Sequence, residues 1–340
     1  MRRFLANLLT VTVMVAVCLT IAEFAIPHLV TLRNVGASFT QADPVMWKRL
    51  KANFQTVRVT PDFTMTFSTN ALGARGPQPK GSIEGAWLFL GDSFTMGYGV
   101  SDGQEYPALI QQELQKRQGP QAPYVLNLGM GASGNGFWLK HLKHTAPGVK
   151  PRLVVLQVLE NDFWDNQVER LYELDAQDKL VELPVPQPGL ARRAQNLIET
   201  VPALANSNLV GLLRQAMSSD PGFTLKGAPA QAASAASSPP KVQLDPGERL
   251  TPRIVEAAVR ECQRQGWPVI LLSVGLEGPH RSAIRKVAEA TQAPILELPS
   301  KVERPDLYFR IDGHWNVKGN ADTAQRLLQK LDDLRLLAAP

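Results

Sequence analysis

From Gly85 onward the chain alternates short, mostly apolar runs with segments of helical periodicity, and that rhythm constrains the fold more than any other feature. The runs are Trp87–Leu90, Tyr124–Leu128, Leu153–Val158, Val269–Val274 and Ile295–Leu298. Mostly apolar runs of this length read as parallel strands buried on both faces. Between them, Gln104–Arg117 carries Leu109, Ile110 and Leu114 on one face, and Pro252–Arg264 carries Ile254, Ala257, Ala258 and Cys262. A last helix, from about Ala321 to Leu337, places Ala324, Leu327, Leu328, Leu331 and Leu334 at helical spacing. The alternation predicts an α/β fold, a three-layer α/β/α sandwich around a parallel sheet of about five strands.

One interval breaks the rhythm. About a hundred residues separate the third and fourth runs, far beyond an ordinary connection between strand and helix. The segment at about 170–250 reads as an insertion. Within it Ile198–Met217 patterns as an amphipathic helix through Leu204, Leu209, Leu212 and Leu213, whose apolar face needs the domain or a membrane as partner. Residues 227–240 are rich in Ala, Ser and Pro and read as a flexible linker. Residues 31–84 form a membrane-proximal segment. There Val57–Thr66 alternates in part, which suits an edge strand or hairpin, and Thr69–Gly73 reads as a turn. Residues 85–340 make up the main domain, and the chain has no internal repeat.

Residues 1–30 have a different character. Arg2 and Arg3 precede a run from Phe4 to Ala22 whose only strongly polar member is Asn7. Nineteen helical residues reach about 28 Å, enough to cross a hydrocarbon core. The arginines then hold the N-terminus in the cytoplasm and put the domain outside, as a single-pass extracytoplasmic (periplasmic) protein. A cleaved signal peptide, giving a secreted or periplasmic protein, is the competing reading. The run is long for one, and no clear Ala-x-Ala site follows it. The net charge of +5 is spread out, and no Lys/Arg run with interleaved aromatics marks a nucleic-acid partner. With only Cys18 and Cys262, one of them in the apolar run, no internal disulfide is expected.

The first apolar run ends in Gly91-Asp92-Ser93, which delivers a serine to the carboxyl edge of the sheet, where open α/β folds bind ligands. Serine is a weak nucleophile and needs a base, normally a histidine oriented by an acid. Of the five histidines, His28 borders the apolar run and His141 and His144 read as a solvent-facing pair on a helix. His280 follows the fourth strand without a partner in sequence. His314 alone has a carboxylate, Asp312, two residues away, in a loop before the last helix. Donors for an oxyanion are available at the Ser93 N–H, in the glycine-rich loop Asn127–Gly134 around Ala132, and at the Asn161 amide. Each of these motifs also suits ordinary turn chemistry. Aromatics crowd the same loops: Phe137, Trp138, Phe163, Trp164 and Trp315. They suit a substrate face, with Trp164 and Trp315 as the candidates, and core packing equally well. Asp92, Asp162 and Asp165 form no convincing metal set, and hydrogen bonding that holds the loops accounts for them better.

In this order the motifs resemble the SGNH hydrolase superfamily, also called the GDSL esterases and lipases, over roughly residues 85–335 without the insertion. Gly91-Asp92-Ser93 matches its first block, Asn127–Gly134 the second, Asn161-Asp162 the third, and Asp312 with His314 the fifth. The resemblance implies a flavodoxin-like sheet, Ser93 as nucleophile, His314 as base and Asp312 as acid. Ser93, Ala132 and Asn161 follow as oxyanion donors, with no metal or organic cofactor. Three positions depart from the pattern. Ala132 stands at the family glycine, Leu159 stands where Gly often precedes x-Asn-Asp, and the acid lies two residues before His314 rather than three. Asp306 is therefore the alternative acid. Acid-x-His followed by Trp315 is similar to membrane-associated, polysaccharide-modifying members. That likeness implies a short acyl ester, such as O-acetyl on a cell-envelope glycan, as substrate. Transfer of the acyl group to a polysaccharide, and a non-catalytic binding or scaffold role, are the alternatives.

Overall fold

The computed structural model describes residues 2–31, 38–186, 198, 201, 204, 207–216, 224–225 and 247–337. Its central sheet contains β1 (Trp87–Leu90), β2 (Val125–Asn127), β3 (Leu153–Leu159), β4 (Val269–Val274) and β5 (Ile295–Leu298). All neighbours pair in parallel, in the order 2-1-3-4-5. That is the flavodoxin-like order, with a topological switch point between β1 and β3. The helices of more than one turn are α1 (Arg2–Leu29), α2 (Tyr106–Gln118), α3 (Gly136–His144), α4 (Asp162–Glu169), α5 (Asn208–Ala216), α6 (Gly247–Arg264), α7 (Gly278–Thr291) and α8 (Val317–Asp333).

Alternate residues of each strand enter opposite cores, as the pleat requires. Leu88, Leu90, Val154, Leu156 and Leu271 pack with Trp138, Leu142, Ile254 and Ile284, so α3, α6 and α7 cover one face. Trp87, Phe89, Val155, Ile270 and Leu272 pack with Ile110, Leu114, Leu327 and Leu331, so α2 and α8 cover the other. Both faces of the central strands are thereby covered, which explains why they read as mostly apolar runs; Glu297 of the partly buried edge strand β5 pairs with Arg285.

Two helix starts differ from expectation. Helix α6 begins at Gly247, ahead of Pro252. Thr251 is buried there and accepts from Asn166 Nδ2 at 2.8 Å, so tertiary contact outweighs the backbone bond that the proline cannot make. Helix α8 begins at Val317 because Asn316 caps it, its side chain accepting from the Gly319 N–H at 3.1 Å.

Upstream lie two antiparallel hairpins, Thr40–Asp43 with Trp47–Leu50 and Gln55–Val59 with Thr64–Ser68. Met46, Leu50, Phe63, Met65 and Phe67 pack there against Met96, Met130 and Phe137 of the α/β domain. The hairpins therefore sit on the loops at the carboxyl edge of the sheet. Helix α1 is long and apolar enough to cross a membrane, and its apolar side chains apart from Ile26 are mostly exposed. Helix α5 packs against it, with the Glu23 carboxylate accepting from Ser207 Oγ and the Asn208 N–H, both at 2.6 Å. The described part of the expected amphipathic helix thus contacts α1, while Leu204 and Leu213 of its apolar face stay exposed. The expected linker at 227–240 lies outside the described residues.

Candidate active site

Ser93 opens a single helical turn, Ser93–Met96, directly after β1. Asp92 caps the turn, its carboxylate accepting from the Phe94 N–H at 2.9 Å, and Gly97 closes it in the left-handed region at φ 81°. The first N–H of such a turn has no acceptor within the helix, and the dipole end there favours negative charge. Gly91 is needed for close approach: a Cβ on it would lie 2.2 Å from Thr95 Oγ1.

The Asn127–Gly134 loop is fastened to this turn. The Leu128 N–H donates to the Phe89 carbonyl at 3.0 Å and the Met130 N–H to the Gly91 carbonyl at 2.9 Å. A Cβ on Gly129 would lie 2.2 Å from the Met96 backbone nitrogen, so only glycine fits. Beyond it Gly131 approaches Ser93, since a Cβ built there would be 3.7 Å from Ser93 Cβ. Ala132 adopts φ 52°, in the left-handed region where the family glycine would be unstrained.

His314 arrives from the loop between β5 and α8, 221 positions from Ser93. Its Nε2 lies 2.7 Å from Ser93 Oγ, and its Nδ1 is bonded to Asp312 Oδ1. The loop is tied at its base by pairing of Tyr308 with Trp315, and Gly313 turns it at φ 90°. Phe94 and Tyr98 flank the imidazole at ring separations of 5.0 Å each. Asp306, the alternative acid, is exposed and paired with Arg304 at 2.9 Å, away from this arrangement.

Behind the serine, a polar network runs from exposed Asn161 to buried Asp92, Asp162 and Asn135. Asn161 Nδ2 donates to Asp165 at 2.7 Å and, at a weak 3.4 Å, toward Asp92. Asp162 accepts from Asn135 Nδ2 at 2.7 Å and from the Leu159 N–H at 2.8 Å, which fixes the loop ahead of α4. Burial pushes the Asp92 carboxyl up, while the Phe94 N–H and the nearby His314 oppose that shift. Burial, reinforced by the Asp92 charge, pushes Asp162 up further.

The aromatic residues divide. Trp164, in the first turn of α4, is 41% exposed beside Asn161. Trp315 is only 3% exposed and packs edge-on against Phe94 at 4.8 Å, so it is a core residue and offers no face to a substrate. Phe137 and Trp138 are likewise core residues. His141 corrects the expectation of a solvent-facing pair. It is buried, bonded through Nδ1 to Thr145 Oγ1 at 3.0 Å, and burial pulls its pKa down to about 3. His280 pairs with Glu160 and stacks on Phe163 at 3.8 Å.

Two residues of the hairpins reach the site and have no signal in the sequence. Lys48 Nζ donates to the carbonyls of Gly131 and Ala132, and the Asp62 carboxylate accepts from the N–H groups of Ile311 and Asp312. Neither stands in a motif, and their contacts join positions 83 to 250 apart.

No curated protein matches the chain. Similar solved structures include the acetyl xylan esterase AlAXEase, 14% identical over 72% of this chain and 98% of its own, with a TM-score of 0.43. LAE5, an alpha/beta hydrolase enzyme from the metagenome of Lake Arreo, Spain, is 13% identical over 76% of this chain and 100% of its own, at 0.44. Axe2, an acetylxylan esterase from Geobacillus stearothermophilus, is 14% identical over 74% and 95%, at 0.40. The family model of the GDSL-like lipases and acylhydrolases matches residues 89–321, a span that runs from β1 into α8 and includes Ser93 and His314. The chain therefore belongs to the GDSL-like lipase/acylhydrolase family, and it is a hydrolase acting on ester bonds.

Proposed function

We propose that the chain is a serine esterase in which Ser93, His314 and Asp312 act as one unit. The observation that carries this reading is the 2.7 Å bond between Ser93 Oγ and His314 Nε2. Ser93 Oγ attacks the ester carbonyl while Nε2 takes its proton, and the carbonyl electron pair moves onto oxygen. The N–H groups of Ser93 and Ala132, with the Asn161 amide, receive that oxyanion. Collapse breaks the ester C–O bond, and the leaving alcohol takes the proton from Nε2. Water then repeats the sequence, releasing the acid and restoring Ser93. Asp312 holds the imidazole in the required tautomer and stabilises its charged form.

The substrate of this proposal is a short acyl ester, O-acetyl on a cell-envelope glycan. Trp164 supports it, because an exposed indole beside Asn161 offers a flat apolar face for a sugar ring. Helix α1 is proposed as the single-pass anchor, with Arg2 and Arg3 inside and the domain outside the cytoplasm. A panel of p-nitrophenyl esters and acetylated glycans, offered to the purified full chain beside Ser93→Ala, tests the reading. Turnover of acetyl esters that disappears in the variant is expected. Equal activity of the two proteins refutes it. A reporter fused to the C-terminus and active only outside the cytoplasm tests the topology.

A further inference from the structure

We propose that Asp62 is a positioning residue for this site, fixing from outside the α/β domain the loop that carries Asp312 and His314. The proposal rests on the reading of Ser93, His314 and Asp312 given above. Asp62 lies in the turn between Gln55–Val59 and Thr64–Ser68, upstream of the residues matched by the family model. Its Oδ2 accepts from the Ile311 N–H at 2.7 Å and from the Asp312 N–H at 2.6 Å, positions 249 and 250 away. Two successive peptide N–H groups aimed at one point make a small anion-binding nest, and a carboxylate oxygen is a strong partner for it.

The turn that supplies this carboxylate is itself fixed. The Thr60 N–H donates to the Phe63 carbonyl at 2.8 Å, and Thr60 Oγ1 accepts from the Phe63 N–H at 3.1 Å. Phe63 packs on Phe309 at 4.9 Å and on Tyr98 at 5.4 Å, while Tyr98 packs on His314 at 5.0 Å. One hairpin turn therefore holds both the backbone of the acid and the ring beside the base. The loop from Tyr308 to Trp315 is tied at its base, turned by a left-handed Gly313 and held at the Arg310 carbonyl by Lys301 Nζ at 2.9 Å, while Asp62 takes the two N–H groups that lead into Asp312. Asp62 touches no reacting atom. Its effect runs through the Asp312 backbone, and a displacement of about 1 Å at such a group costs on the order of a hundredfold in rate.

The test uses the full chain in detergent with p-nitrophenyl acetate. Asp62→Ala is expected to lower kcat roughly 10- to 100-fold with KM changed less than about twofold. Asp62→Asn keeps an oxygen that accepts both bonds and is expected to stay within about threefold of the parent. Coupling separates positioning from general support of the fold. In an Asp312→Ala background, Asp62→Ala should cost less than about twofold, because the group it positions is gone. The same fold-loss with and without Asp312, or a kcat for Asp62→Ala within about twofold of the parent, overturns the proposal. Where circular dichroism shows that Asp62→Ala does not fold, Asp62→Ser, too short to reach Ile311, is read by the same criteria. Failure of the underlying reading is distinguished by Ser93→Ala, which would then be as active as the parent.

Discussion

The ammonium of Lys48 donates to the carbonyl oxygen of Gly131 at 3.1 Å, and the peptide that carries this oxygen also carries the Ala132 N–H. In a trans peptide the C=O and N–H point in opposite directions. Lys48, by holding the carbonyl from behind, therefore turns the Ala132 N–H toward the opposite side of the loop. Lys48→Met is expected to lower kcat roughly tenfold with little change in KM, and Lys48→Arg to recover much of it. Steady-state kinetics with p-nitrophenyl acetate measure this. A Lys48→Met protein as fast as the parent would show that the loop holds its orientation without the cation.

Ser93, His314 and Asp312 form a continuous hydrogen-bonded chain, so their removal should not be additive. Ser93→Ala and His314→Ala are each expected to cost on the order of a thousandfold or more in kcat, and the double variant little beyond either one. Asp312→Ala should cost less than these two but still far more than Asp306→Ala. The exposed Arg304–Asp306 pair leaves no route from that carboxylate to the imidazole. Wild-type rates in Asp306→Ala beside a large loss in Asp312→Ala are the expected pair of results, and the reverse pair would move the acid.

The sheet was legible from the sequence because a parallel strand covered on both faces is apolar at most of its positions. Trp87–Leu90, Val269–Val274 and Ile295–Leu298 have the bounds expected of them. Ser93 and His314 were legible because each sits in a short motif at the end of a strand or before a helix. Residues with long-range partners left no such trace. The polar surface of a hairpin carries many lysines and aspartates, and nothing local separates Lys48 and Asp62 from the rest. The core role of Trp315 was hidden for a related reason. Its burial is set by Phe94 and Tyr106, which the fold brings together from elsewhere in the chain.

Ala132 gives a stability prediction. A non-glycine residue at φ 52° carries backbone strain of about 1–2 kcal/mol, part of which a glycine would return as extra freedom of the unfolded chain. Ala132→Gly should therefore raise stability by about 0.5–1 kcal/mol, seen as a higher thermal midpoint, with kcat changed less than about twofold. The N–H is present in both residues, so the proposed oxyanion donor is kept. A lower midpoint would mean that the Ala132 methyl group contributes packing worth more than the strain it imposes.

Glu169 ends α4 and accepts from the Gly134 N–H at 3.0 Å through one oxygen, while its other oxygen is buried with no hydrogen-bond partner. Burial pushes its pKa from 4.5 up to about 8, against the opposing charge of Lys48 and the Gly134 bond. Between about pH 4.5 and 8 the folded protein thus keeps a proton on Glu169 that the unfolded chain releases. When the folded state binds more protons, stability falls as pH rises, here from about 4.5 to about 8, and the contribution is constant above that. Glu169→Gln is neutral throughout and keeps an oxygen for the Gly134 N–H. It should match the parent near pH 4.5, exceed it increasingly toward pH 8, and show a flatter dependence of thermal midpoint on pH across that window. Asp92 and Asp162, whose carboxyls burial also raises, should leave a residual slope in the variant. Midpoints that fall in parallel for the two proteins from pH 4.5 to 8 would show that Glu169 is ionised in the folded state and that solvent reaches its second oxygen.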